Sequence, residues 1–268
     1  MRVVALVAAY NERRFIDACF EHLERHGIEA YLIDNCSTDN TVQLAERWLD
    51  RNLIGIERFP RGEGDVYDWK GLLRRKEELA RELDADWFMH LDPDEMRLPP
   101  ASGQTMLQGL EAVDHEGFNA VDFAEFTFVP TREEPDHDHP RFQTTMRAYY
   151  TFQKPPSPHQ LKAWKANPQV ELASGGHKVC FPEQKVYPHR FRMKHYLALS
   201  IPHAIEKYAE RRYDPDEVES GWHGWRARVT ADKIRLPSES ELFISQSDDD
   251  LDPTSSSVPY FTDRRRSR

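Results

Sequence analysis

Asp92, Asp94 and Glu95 place three carboxylates in four positions at the end of the run Trp87-Phe88-Met89-His90-Leu91. An apolar strand that ends abruptly in clustered acids sets negative charge on the rim of a sheet. Left unpaired, the acids repel one another, and a cation among them relieves that repulsion. Hard divalent ions such as Mg²⁺ prefer oxygen ligands and usually share them with a substrate's phosphates. The competing reading is a strand-to-turn junction with solvated acids. Polar groups also follow two earlier apolar runs, as Tyr10-Asn11-Glu12 and as Asp34-Asn35. The stretch Glu133-Glu134-Pro135-Asp136-His137-Asp138-His139 holds metal-ligand types too, but reads as an ordinary exposed acidic loop.

The elements that must position these groups alternate in type. Residues 3–8 are a continuous apolar run, as in a strand buried on both faces. A helix is predicted over 12–26, with Ile16, Cys19, Phe20 and Leu23 at helical spacing and Gly27 as its stop. Residues 30–33 give a second strand ending at Asp34. The cap-rich turn 35–40 then leads into a helix with Val42, Ala45, Trp48 and Leu49 on one face. Residues 53–59 read as a third strand. A helix over 68–83 is expected to bury Trp69, Leu72, Leu73, Leu79 and Leu83, and the strand 86–91 carries the acids. Four alternations of strand and helix argue for a parallel sheet with right-handed crossovers, in which ligands bind beyond the carboxyl ends of the strands.

Beyond residue 100 the pattern is less regular. A helix is predicted near 105–113 and a strand over 119–129, with a bulge or face change between Phe123 and Phe126. Short strands are expected at 146–152, 161–166, 177–181 and 193–199, and a helix capped by Ser200 over 202–212. From 238 onward Ser, Asp and Pro accumulate and apolar periodicity fades, which reads as a disordered tail.

Composition sets outer bounds. The 268 residues allow one large or two small domains, and 39% apolar residues suffice for a core. A net charge of −10 argues against non-specific binding to nucleic acid or anionic membranes. Three cysteines without metal-site spacing read as reduced thiols, hence a cytoplasmic protein. No run approaches the ~20 apolar residues that cross a bilayer. Residues 3–9 are short for a signal-peptide core and are followed at once by charged residues, so they are taken as the first strand.

In four segments the chain resembles the family 2 glycosyltransferases, inverting GT-A enzymes that use nucleotide sugars. These are Ala8-Ala9-Tyr10-Asn11-Glu12, Leu32-Ile33-Asp34-Asn35-Cys36-Ser37-Thr38-Asp39-Asn40-Thr41, Arg74-Arg75-Lys76 and Leu91-Asp92-Pro93-Asp94-Glu95. Each is weak alone; in this order and spacing they are specific. Lys194-His195-Tyr196, followed by Ser200, Lys207, Arg211 and Arg212, looks like a later histidine-containing segment of related members. The resemblance implies a single GT-A domain over 1–237, with a nucleotide-binding half at 1–100 and an acceptor- and metal-completing half at 101–237. Residues 238–268 would be the tail.

What the resemblance implies for each position can be set against a plainer role. Tyr10 would stack on the nucleobase, or simply pack at a strand end. Asp34 would accept from a base imide, favouring a UDP- or dTDP-type donor, or cap the following helix. Glu12 would steady the first loop or cap its helix. Arg75 would contact the donor's phosphates, or form a salt bridge on its helix surface. Asp92 would contact ribose and metal, Asp94 would be the main metal ligand, and His195 would complete the site around Mn²⁺ or Mg²⁺. Pro93 departs from the small residue usual between the two acids, but removes no oxygen ligand.

The implied reaction is a single displacement of the hexosyltransferase type. A hydroxyl of a glycan or other acceptor attacks the sugar, the metal stabilises the departing diphosphate, and a carboxylate or histidine takes the proton. Glu125, in an aromatic strand, and His177, after Ser174-Gly175-Gly176, are the residues to examine as that base. A dinucleotide-dependent oxidoreductase is excluded, because the turn after the first strand has no glycine. A metal-dependent phosphohydrolase or nucleotidyltransferase, and a non-catalytic nucleotide- or glycan-binding domain, remain the alternatives.

Overall fold

The structure is a computed structural model that describes residues 1–62, 64–151, 159–220 and 226–252. The chain packs as two units: Met1–Ala124 with Pro156–Met193, and Glu125–Pro155 with Lys194–Arg268. The division is interleaved in sequence and does not fall near residue 100.

In the first unit, the apolar run becomes β1 (Val3–Ala9), all seven residues buried. It lies parallel to β2 (Glu29–Asp34) on one side, and β3 (Leu53–Arg58) lies parallel to β2. On its other side is β4 (Trp87–Leu91), again parallel, with Val3 opposite Trp87 and Val7 opposite Leu91. Helices α1 (Ile16–Arg25), α2 (Thr41–Glu46) and α3 (Trp69–Glu82) make the crossovers. Gly27, at φ +73, ends the first helical segment in a conformation that costs glycine least. Asp68 caps α3 by accepting from the Gly71 amide at 2.8 Å.

The first four strands and the helices between them therefore follow the expected α/β alternation. Three side chains differ. Leu49 is exposed, because α2 ends at Glu46 and Trp48 fills the following turn, donating Nε1–H to Asp17 at 2.9 Å. Trp69 and Leu83 are only half-buried, whereas Lys76 on the inward face of α3 is fully buried.

Beyond β4 come β5 (Glu95–Leu98), α4 (Met106–His115) and β6 (Ala120–Phe128), whose first half belongs to this unit. Thr105 and Gln108 form a capping box on α4. In the second unit lie α5 (Phe142–Thr145) and β7 (Ala148–Tyr150). The chain then returns to the first unit as β8 (Leu161–Lys165), antiparallel to both β4 and β6, with β9 (Glu171–Ala173) and β10 (Lys178–Cys180) beyond. The sheet is thus mixed, a parallel core extended by antiparallel strands.

The expected irregularity in β6 is displaced. Val121 pairs with Ala163 but Asp122 with Leu161, so the extra residue is Lys162 on β8. A bulge of this kind re-aims a side chain. Asp122 is buried and accepts from the amides of His159 (2.9 Å) and Gln160 (2.8 Å) and from Arg190 (2.8 Å).

The second unit pairs β6 with β7, Thr127 opposite Tyr150, and packs Val129, Tyr150, Leu197, Ala204 and Tyr208 into its core. β11 (Phe191–Tyr196) supplies Tyr196, stacked on Phe128 at 5.1 Å between ring centroids. The helix expected over 202–212 is only α6 (Ile201–Ala204), capped by Ser200, followed by a wider turn through Ala209. Packing decides this: Tyr208 is buried and donates its hydroxyl to the Leu197 carbonyl at 2.8 Å. A short α7 (Pro215–Glu219) follows. The loop 130–142 is mostly exposed as expected, though His137 is buried and its amide donates to Leu199.

Residues 238–252 depart from the expected disordered tail. They form β12 (Phe243–Ile244), antiparallel to β7, and Asp248 accepts from Lys194 at 2.8 Å. Edge pairing, polar bonds and a few apolar contacts, Leu251 buried, Leu242 against the core and Phe243 on Tyr149, order this segment. Residues 253–268 and residue 152 of the expected strand 146–152 lie outside the described residues. Among the described residues no helix is long and apolar enough to cross a membrane.

Candidate functional site

In the first unit, the neighbouring strands β1, β2 and β4 run parallel, so their carboxyl ends share one edge. Tyr10, Asp34 and the acids after Leu91 stand there, as expected.

The acids divide into two kinds. Glu95 is buried and fully engaged: Oε1 accepts from Lys162 at 2.7 Å, and Oε2 pairs with Arg97, itself buried. Its oxygens are committed to protein cations, so Glu95 supports the turn. Asp92 is half-buried and Asp94 buried, on a tight turn closed by the Glu95 amide donating to the Asp92 carbonyl at 3.0 Å. Burial raises the Asp92 carboxyl above its ordinary value, with repulsion from Glu95 and Asp94 adding and Lys162 and Lys76 opposing.

Beneath the rim, Lys76 Nζ donates to His90 Nδ1 (3.1 Å) and to the Leu91 carbonyl (3.2 Å). Burial pushes Lys76 down to about 8, with Lys162 and Arg97 adding and Asp92 opposing. Burial and the same cations hold the His90 imidazole well below its usual range, so it is neutral and accepts from Lys76. Part of the positive charge expected among these acids is therefore supplied by the chain itself. Lys162 and Arg97 escaped the sequence reading, and Lys76 entered it only within Arg74-Arg75-Lys76, without a role. Their signal was a cation inside an apolar pattern, as in Leu161-Lys162-Ala163-Trp164, Met96-Arg97-Leu98 and Leu72-Leu73 before Lys76.

The loops after β1 and β2 are tied together. Asn11, at φ +57, accepts from the Thr38 amide at 2.7 Å, and the Glu12 amide donates to Thr41 at 2.8 Å. The Glu12 carbonyl accepts from Phe15 and Ile16, which starts the first helical segment. Asp34 is buried and accepts from the Ser37 amide at 3.1 Å, holding its own turn. Arg61 lies over the Tyr10 ring, 4.1 Å from its centroid. One face of that ring thus already carries a cation, and a stacking base would take the other face or replace the guanidinium.

Arg75 is engaged elsewhere. It pairs with Glu57 (2.8 Å), Glu78 (3.2 Å) and Glu82 (2.9 Å), which corresponds to the salt-bridge reading and not to the phosphate one. The hydrogen bonds it donates to Glu57 and Glu82 raise its guanidinium pKa further. One helical step, about 100° of rotation, separates it from the buried Lys76.

His177 also belongs to the first unit. Its Nδ1 lies 3.0 Å from Gln160 Oε1. In the second unit, His195 and Glu125, singled out separately in the sequence, meet: Nδ1 and Oε1 are 2.8 Å apart. Thr127 donates to the same oxygen at 3.2 Å. Among the described residues no three His, Cys, Asp or Glu side chains converge as a metal-binding group.

Residues 4–99 match the family described as Glycosyl transferase family 2. No curated protein sequence matches the chain. Among solved structures, TarS of S. aureus (residues 1–349) in complex with UDP-GlcNAc is similar with a TM-score of 0.45 and 13% identity. The match covers 73% of this chain and 58% of that one. The same protein in complex with UDP gives a TM-score of 0.44 at 12% identity, covering 85% and 72%. Glucosyl-3-phosphoglycerate synthase from Mycobacterium tuberculosis, in complex with Mn²⁺, UDP and glucosyl-3-phosphoglycerate, gives 0.31 at 16% identity, covering 47% and 44%. The family match spans β1 to β5 with the acid rim, and over residues 4–99 the chain is similar to the family 2 glycosyltransferases.

Proposed function

We propose that the protein transfers a sugar from a nucleoside diphosphate sugar to an acceptor hydroxyl, with inversion, assisted by a divalent cation. The observation that carries this reading is the shared strand edge. Tyr10, Asp34, Asp92 and Asp94 follow neighbouring parallel strands within the very segment that matches the family. Tyr10 would meet the base, Asp34 its imide, and Glu12 would steady the loop, which favours a UDP- or dTDP-type donor. A glycan or other hydroxyl compound is the acceptor, and the three free thiols support a cytoplasmic setting.

The residues present suit Mn²⁺ or Mg²⁺. Asp92 and Asp94 are hard oxygen donors of the kind that bind such ions together with substrate phosphates, whereas Glu95 is withdrawn by Lys162 and Arg97. Asp94 would be the principal ligand and Asp92 a shared one. When bound, the ion supplies positive charge for the departing diphosphate. Lys76 and Lys162 hold the acid turn from beneath, so the rim needs little rearrangement to receive a charged donor. Attack on the face opposite the diphosphate gives the inverted product.

Product analysis separates this reading from the alternatives. Incubation with UDP-glucose, UDP-N-acetylglucosamine or dTDP-glucose and a panel of hydroxyl acceptors should yield a glycoside and free nucleoside diphosphate. Release of nucleoside monophosphate would instead indicate a phosphohydrolase or nucleotidyltransferase. Binding without turnover would indicate a non-catalytic module.

A further inference from the structure

Three buried cations, Lys76, Lys162 and Arg97, stand beneath the acid turn within the first unit. Lys162 owes its place to the bulge in β8, where it is the extra residue and its Nζ lies 2.7 Å from Glu95 Oε1. Arg97 pairs with Oε2 of the same carboxylate. Lys76 reaches the end of β4 itself, donating at 3.2 Å to the carbonyl of Leu91, the residue before Asp92. Charges enclosed in protein are screened far less than exposed ones, so their field extends to the rim.

That field acts on the Asp92 carboxylate. Lys162 and Lys76 both favour its charged form against the effect of burial. A cation held at the same carboxylate meets the same field with the opposite sign, and is repelled. It also finds few ligands. Glu95 is engaged by Lys162 and Arg97, which leaves the turn Asp92 and Asp94 to offer. A hard divalent ion takes about six oxygens, so most of them must come from elsewhere. A nucleoside diphosphate reverses both effects. Its oxygens complete the coordination, and its complex with the ion is anionic, so the two lysines attract what they would otherwise repel.

We propose that Lys76 and Lys162 make the acid rim select a nucleoside diphosphate that already carries its divalent ion, and reject the bare ion. The inference rests on the glycosyl-transfer reading above, in which Asp92 and Asp94 are the ligands. The lysines act through charge and fix the order of binding. The turn itself needs no ion to hold its shape. Lys162 and Arg97 fix the Glu95 side chain, and the Glu95 amide closes the turn on the Asp92 carbonyl at 3.0 Å.

Calorimetric titration of the full chain with Mn²⁺ alone, with UDP in chelator and with UDP in Mn²⁺ tests the proposal. The parent should show no saturable binding of Mn²⁺ alone into the millimolar range, and clear binding of UDP in Mn²⁺. Lys162→Met and Lys76→Met should each gain saturable Mn²⁺ binding without nucleotide, at least about tenfold tighter than the parent's limit. A merely structural role for either lysine predicts lost binding and never this gain. The substitutions lie on separate elements, β8 and α3, and melting curves show which variants are folded. Parental Mn²⁺ affinity in a folded variant of each overturns the proposal. So does tight binding of Mn²⁺ alone by the parent, a result that needs no variant and leaves the glycosyl-transfer reading standing. A parent whose UDP affinity does not rise in Mn²⁺ overturns that reading as well.

Discussion

Arg75 and Lys76 are neighbours in sequence and opposites in environment. Arg75 lies at the surface among Glu57, Glu78 and Glu82, where solvent competes for each charge. Lys76 is fully buried beneath the acid rim, bonded to His90 and the Leu91 carbonyl, and electrostatically linked to Glu95 and its partners Lys162 and Arg97. The surface network is replaceable. The buried one leaves Lys162 and Arg97 uncompensated when Glu95 is removed, because the interior cannot solvate what remains.

The largest expected effect lies in the buried network. Glu95→Ala strands Lys162 and Arg97 and should cost about 3–5 kcal/mol of stability, read from urea unfolding. A loss no larger than that of Arg75→Met would erase the contrast.

A pH test sharpens it. Lys76 is lowered from an ordinary 10.5 to about 8 in the folded chain. Between those values the unfolded chain binds a proton that the folded chain has released. Stability from this group therefore rises with pH across that window, and below it the buried charge subtracts from stability. The contribution is on the order of 3 kcal/mol. Lys76→Met should be more stable than the parent near pH 7, and the two should converge as pH rises toward 10. Parallel melting curves from pH 7 to 10 would contradict the burial argument.

The smallest effect should come from Arg75→Met, below about 1 kcal/mol and reduced further by salt. Unchanged nucleotide affinity in this variant would confirm that Arg75 does not hold the donor's phosphates.

The same contrast explains what could be read in the sequence. Residues 3–8, 30–33 and 86–91 were legible because strands buried on both faces are continuous apolar runs. Asp34, Asp92 and Asp94 stood out because each follows such a run. Residues 238–252 were misread because β12 is ordered by backbone pairing with β7 and by Lys194, which leave little apolar trace. The cations beneath the rim were overlooked because a buried lysine has the same letter as an exposed one; only its phase in the pattern differs. The pairing of His195 with Glu125 spans 70 positions, and no local pattern encodes it.

The central claim is that the carboxyl edge of the first unit holds a nucleoside diphosphate together with a divalent cation. Calorimetric titration of UDP into the full chain, in Mn²⁺ and then in chelator, tests it most directly when repeated on Asp94→Asn. The account expects tighter binding in Mn²⁺ for the parent, and for Asp94→Asn an equal, weak affinity under both conditions with an unchanged melting temperature. Equal affinity in Mn²⁺ and chelator for the parent, or full Mn²⁺-dependent binding by Asp94→Asn, would contradict it.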